Sequence, residues 1–163
     1  DLWFVTQGQG LFHLNKNVIT NVTTKDGLLS NQLFDIIQLP DSSYWIGTLN
    51  GINILRYNQH QKTYKCEVLE LKPFFPDISV HSLFLDSRND IWIKAEDTGI
   101  YRLNINRSTD NHDITFYDHS NGFTSKEIGN IIEDYIGNVI CHHLKGCNFP
   151  FRYVFLHMEE IAV

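Results

Sequence analysis

Tyr44-Trp45-Ile46-Gly47-Thr48, followed after two residues by Gly51-Ile52-Asn53-Ile54-Leu55, is the stretch on which the reading of this chain turns. Both halves are short, rich in β-branched and aromatic residues and joined at a glycine, the pattern of two strands in a hairpin. The arrangement returns on either side, as Leu2-Trp3-Phe4-Val5-Thr6 before Gly10-Leu11-Phe12-His13-Leu14 and as Ile91-Trp92-Ile93-Lys94-Ala95 before Gly99-Ile100-Tyr101-Arg102-Leu103. Trp3 to Trp45 is 42 residues and Trp45 to Trp92 is 47. Such a period belongs to propeller blades or helical repeat pairs.

The register reaches past the tryptophans. Leu33-Phe34-Asp35-Ile36-Ile37 begins 12 residues ahead of Trp45, Val80-His81-Ser82-Leu83-Phe84 begins 12 ahead of Trp92, and Ile128-Gly129-Asn130-Ile131-Ile132 begins 12 ahead of Ile140, which occupies a fourth anchor position. Clusters such as Pro40-Asp41-Ser42-Ser43 and Ser87-Arg88-Asn89-Asp90 punctuate the apolar runs and leave no room for helices of ten or more residues. The unit around Trp92 reads as four strands, His81–Asp86, Ile91–Glu96, Ile100–Ile105 and Ile114–Tyr117. Four antiparallel strands per repeat make a propeller blade. The expected fold is therefore an all-β propeller. At that period the chain holds about three and a half four-stranded blades, an incomplete ring short of the ~4 to 8 of a closed one, with the repeats over residues 1–140. Trp3, Trp45 and Trp92 are expected to fill the wedge between blades, with Gly47, Gly51 and Gly99 as the other repeat-defining positions.

Composition bounds the rest. The 163 residues are 42% hydrophobic and 20% charged, with 13 basic against 19 acidic side chains and a net charge of -6. That composition is globular. It shows no electrostatic footprint for nucleic acid, and no apolar run approaches the ~18 residues of a membrane helix. Cys66, Cys141 and Cys147 have no framework spacing. The chain opens at Asp1 directly in a strand pattern, and its one methionine is Met158, so it is expected to start inside a larger protein.

With these residues in view, the chain resembles the two-component regulator propeller repeat. Asp26-Gly27-Leu28-Leu29-Ser30-Asn31-Gln32-Leu33, then Trp45-Ile46-Gly47-Thr48, then Gly51 to Asn58, is similar to one complete copy, and Glu133 to Val139 is similar to the stretch ahead of an anchor. The copy around Trp92 departs from the pattern, with Lys94-Ala95 in place of Gly-Thr. The resemblance implies a periplasmic sensor segment of a hybrid histidine kinase of the gut Bacteroidetes kind, responding to glycan fragments. It also implies as partners an oligosaccharide or small-molecule ligand, further blades of the parent chain and a second copy in a sensor dimer. The kinase would lie outside this segment, which is expected to catalyse nothing and to hold no cofactor. WD, kelch and Asp-box repeats fit less well. Streptogramin lyase, whose repeats carry similar Leu-Trp-Phe-Thr strands, stands as the enzymatic alternative, and a passive interaction scaffold as a third reading.

Residues 141–163 break the repeat. Cys141, His143, Cys147 and His157 bring together zinc-ligand types without a standard spacing; no metal site is expected, and the segment reads as an atypical tail. His13, His81, His112 and His119 are the catalytic candidates within the repeats, and none stands beside a nucleophile motif. Gly8-Gln9-Gly10 reads as a tight turn, and the pairs Glu96-Asp97 and Glu133-Asp134 as turn residues. Tyr64, Phe74, Phe75 and Phe123 are expected on connecting loops, where aromatic rings stack on sugars. Of these, Phe74, Phe75 and Phe123 are the ligand-binding candidates.

Overall fold

The computed structural model of the protein describes residues 2–61, 63–70, 78–96, 99–105, 112–118, 128–143 and 153–156. Apart from one 3-10 turn at Thr24–Asp26, the regular structure among them is all strand. The first sheet holds β1 (Leu2–Val5), β2 (Leu11–Asn15) and β3 (Val18–Val22) in chain order. The second holds β4 (Leu33–Gln38), β5 (Tyr44–Thr48), β6 (Gly51–Asn58) and β7 (Thr63–Val68). The third holds β8 (Val80–Leu85), β9 (Asp90–Ala95), β10 (Gly99–Ile105) and β11 (His112–Tyr117). The fourth holds β12 (Ile128–Glu133), β13 (Val139–His143) and β14 (Tyr153–Leu156). Successive strands are neighbours and pair antiparallel, the meander that short turns produce. The four strands read from sequence around Trp92 differ from β8 to β11 by no more than two residues at their ends.

The turn ahead of each anchor shows why one hairpin follows another. Leu39 donates its N–H to the Ser43 carbonyl at 2.8 Å and Ser42 to the Leu39 carbonyl at 2.9 Å. Asp86 and Asp90, with Asn89, repeat this at 3.0 Å for both bonds, and Asp134 and Asn138, with Gly137, at 2.9 and 3.1 Å. In each turn an aspartate collects the loop amides: Asp41 that of Ser43, Asp86 those of Arg88 and Asp90, Asp134 those of Ile136 and Asn138. Such side-chain acceptors favour turns over continued strand. A second device closes the hairpin after the anchor, where the Thr6 hydroxyl donates to the Gly10 carbonyl at 2.7 Å and the Thr48 hydroxyl to that of Gly51 at 3.0 Å.

Two compact units, Asp1–Leu83 and Phe84–Val163, divide the chain. In the first, Leu11, Leu28, Leu33, Ile46 and Leu55 form the core, with Trp3, Val5, Ile36, Tyr44 and Tyr64 packed against it. Strand register explains the grouping. Trp3 and Val5 pair with His13 and Leu11, which puts all four on one side of the first sheet. Tyr44 pairs with Leu55, Leu55 with Cys66 and Tyr57 with Tyr64, which puts these on one side of the second sheet. The two sides face each other. The opposite side of the second sheet bears Trp45 and Gly47, and a Cβ on Gly47 would stand 2.6 Å from the Val80 carbonyl oxygen, so only glycine admits this approach. Asp35 of β4 fixes the same junction by accepting the Leu83 N–H at 2.8 Å and the Ser82 hydroxyl at 3.2 Å. In the second unit, Trp92, Ile100, Ile131, Val139 and Cys141 form the core, with Phe84 and Tyr117 against it. Each fully buried large side chain stabilises by roughly 1.5–3 kcal/mol.

Candidate functional site

Trp45 and Trp92 are buried, and Trp3 is half-buried. The residue paired with each tryptophan differs: His13 stacks on Trp3 with ring centroids 3.9 Å apart, Ile54 stands opposite Trp45, and the Arg102 guanidinium lies 5.7 Å from the Trp92 ring centroid. Asp90 anchors that guanidinium from the facing strand and also accepts from the Asn104 amide. The Trp92 Nε1 donates to Asp86 at 2.9 Å, whereas Leu39 occupies the equivalent place ahead of Trp45 and the Trp45 Nε1 has no acceptor among the described residues. Gly47 lies on β5, while Gly51 and Gly99 open β6 and β10.

A cavity of about 820 Å³ lies in the first unit, between the facing sides of the first and second sheets. Leu11 of the first sheet and Leu55 of the second, both fully buried, belong to the one core between them. Toward their outer parts the lining is open to solvent, with Val18 of β3 61% and Tyr57 at the end of β6 45% exposed. The aromatic lining comprises His13, Tyr44, Tyr57 and Tyr64. Tyr57 and Tyr64, a cross-strand pair, have centroids 5.1 Å apart at 59°, and Tyr64 meets the edge of Trp3 at 4.9 Å. Burial pushes the Tyr64 phenol above its ordinary value, with Tyr44 and Tyr57 adding to the shift, and burial lowers His13, so both are neutral near pH 7. Lys16 and Asp26 are the charged side chains of the lining. Asp26 is held below the usual carboxylate range by the Thr23 N–H, then by the Thr23 hydroxyl.

Tyr64 is thus a strand residue of this cleft and not a loop residue. Its alternation with Cys66 on β7 was the available signal. Phe74, Phe75 and Phe123 lie outside the described residues, as do His119, Cys147 and His157. His81 stacks on Phe34 at 4.2 Å. His112 and His143 are placed on β11 and β13 by their backbone. Cys141 sits in the second unit's core, where burial pushes its thiol up to about 12, a setting adverse to the thiolate that binds zinc. Strand β13 runs through Ile140 to His143 and pairs with β14, so strand structure continues beyond the last residue of the sequence repeat. Among the described residues no group of three or more His, Cys, Asp or Glu is placed to hold a metal. No helix among them is long and apolar enough to cross a membrane.

No family model matches the chain, and no curated protein does. Solved structures do. The chain superposes on the extracellular domain of a B. thetaiotaomicron protein called a hybrid two-component system, BT3049, with a TM-score of 0.66 and 22% identity over 86% of its length. A second protein of the same organism, BT4673, matches over 98% of the chain with a TM-score of 0.63 and 20% identity, and a further structure of it, there called a one-component system, over 96% at 22% identity. The fold is that of these extracellular domains. The chain spans only about a fifth of each, 18% of the first and 21% of the others.

Proposed function

We propose that this chain is part of the extracytoplasmic sensor of a two-component regulator, in which its sheets are consecutive blades of a β-propeller and residues 141–163 depart from the sequence repeat as an atypical tail. The observation that carries the reading is the superposition on 86% of the chain at a TM-score of 0.66, beside a sequence repeat legible around Trp3, Trp45 and Trp92. In this reading the segment binds a glycan-derived signal and performs no chemistry. Histidine kinase activity belongs to a cytoplasmic part of the parent protein, and ligand biases one arrangement of a sensor dimer by binding it more tightly than the other. The stacked environments of His13, which is buried, and of His81, which is partly buried, support a non-catalytic segment.

The test begins with the complete reading frame. It is expected to show further Trp-bearing repeats, a membrane span and a kinase. Membranes containing that full protein are then expected to change their rate of autophosphorylation from ATP when oligosaccharides are added outside. A frame without span or kinase overturns the reading.

A further inference from the structure

We propose that the cleft between the first and second sheets is a binding site for a neutral oligosaccharide, with one sugar ring seated against Tyr57 and Tyr64. The proposal rests on the sensor reading for the kind of ligand, and on the cleft itself for the place.

Three observations lead there. First, the sheets do not close on each other along their full width. Residues that alternate onto one side of β2 and β3 pass from Leu11, fully buried, through His13 at 7% exposure, to Val18 at 61%. The volume of about 820 Å³ falls within the ~300–1,000 Å³ of ligand sites.

Second, the lining has the two faces of a sugar. A pyranose ring presents a C–H face, apolar enough to lie on an aromatic ring, and a rim of hydroxyls that both donate and accept. The cleft offers tyrosine rings for the face, and for the rim Asn15, Thr20, Gln38 and Thr63, which make no side-chain hydrogen bond among the described residues. Tyr57 is the half-exposed member of the aromatic group, while Tyr44 and Tyr64 are braced by Trp3 and the core, so the stacking surface is rigid before ligand arrives.

Third, the charges cancel. Lys16 and Asp26 are of opposite sign, and the Asp26 carboxylate already accepts from Thr23. Nothing in the lining selects an anionic ligand or repels an uncharged one.

The experiment titrates the intact protein by calorimetry with maltotriose, cellotriose, xylotriose and mannotriose, and with trigalacturonate as the acidic counterpart. It compares the parent with Tyr57→Ala, which removes the exposed ring, and Thr20→Trp, which fills the cleft from an exposed strand position. Thermal melts of both variants, expected to match the parent, check folding. The expected result is binding of at least one neutral trisaccharide, weakened about ten-fold or more by Tyr57→Ala and abolished by Thr20→Trp. Equal binding by parent and both variants overturns this site and leaves the sensor reading standing. Binding of none of the probes by the parent counts against the glycan reading itself, and the site falls with it. Tighter binding of trigalacturonate than of every neutral probe overturns the neutral class.

Discussion

Ser42, Asn89 and Gly137 each stand three residues before an anchor position, and their φ angles are 66°, 66° and 89°. Only glycine enters this region without a steric cost from Cβ, and asparagine tolerates it better than serine. Ser42→Gly is therefore expected to stabilise the protein by up to about 1 kcal/mol, and Gly137→Ala to destabilise it by a similar amount, since a Cβ at Gly137 finds only ordinary contacts and the backbone alone decides. Urea midpoints of the two variants check both signs. Gly47 is limited by space instead. Gly47→Ala drives a methyl against the Val80 carbonyl, which cannot swing aside as a side chain would, and is expected to cost about 1–3 kcal/mol. Asp41 supplies the acid response of the same hairpin. Burial acts to raise its pKa, but the Ser43 hydroxyl, Arg56 and the Ser43 amide prevail and hold it at about 2. A carboxylate depressed on folding adds stability that is complete above its unfolded value of about 3.9 and disappears as pH falls through its folded value. The loss between about pH 4 and pH 2 is thus expected to be smaller in Asp41→Asn. Because Asp41 and Arg56 are well exposed, the ion pair is screened, and added salt should change little.

At the scale of elements, the hairpin before Trp92 ties its turn directly to its anchor. Asp86, 6% exposed, accepts from two loop amides and the Trp92 indole. Asp86→Leu would copy the arrangement before Trp45, where Leu39 stands, but here it strands the buried indole and the Asp90 amide. A loss of roughly 2–3 kcal/mol in urea denaturation is expected, with no change in strand content by circular dichroism. The same comparison shows what the sequence makes legible. Aspartate, glycine and β-branched residues act locally, so the strands around Trp92 were placed to within two residues by alternation and turn chemistry alone. The Leu39-for-Asp86 difference could be read by counting back six residues from each tryptophan. The cleft could not. Alternation tells which side of a sheet Tyr57 and Tyr64 occupy, but how far that side stands from the next sheet depends on packing between strands distant in sequence. Strand β14 is not legible in the sequence for a related reason: Tyr153-Val154-Phe155-Leu156 follows no repeat spacing, and pairing with β13 gives it a place.

For the whole molecule, net charge and cleft charge make separate demands on a ligand. The chain carries a net charge of -6, while the lining of the cleft pairs one lysine with one aspartate. A neutral oligosaccharide feels neither, so its affinity is expected to change by less than about two-fold as salt is raised well past the level at which the Debye length falls to ~8 Å. An acidic oligosaccharide must approach a molecule of its own sign, and its association rate should rise as salt screens that repulsion. Stopped-flow measurement of tryptophan fluorescence is suited to the comparison, because Trp3 touches Tyr64 at the edge of the cleft and reports occupancy from beneath. A neutral trisaccharide whose affinity falls steeply with salt would show that its contacts are made by charged groups, and the binding surface would then have to be sought away from Tyr57 and Tyr64.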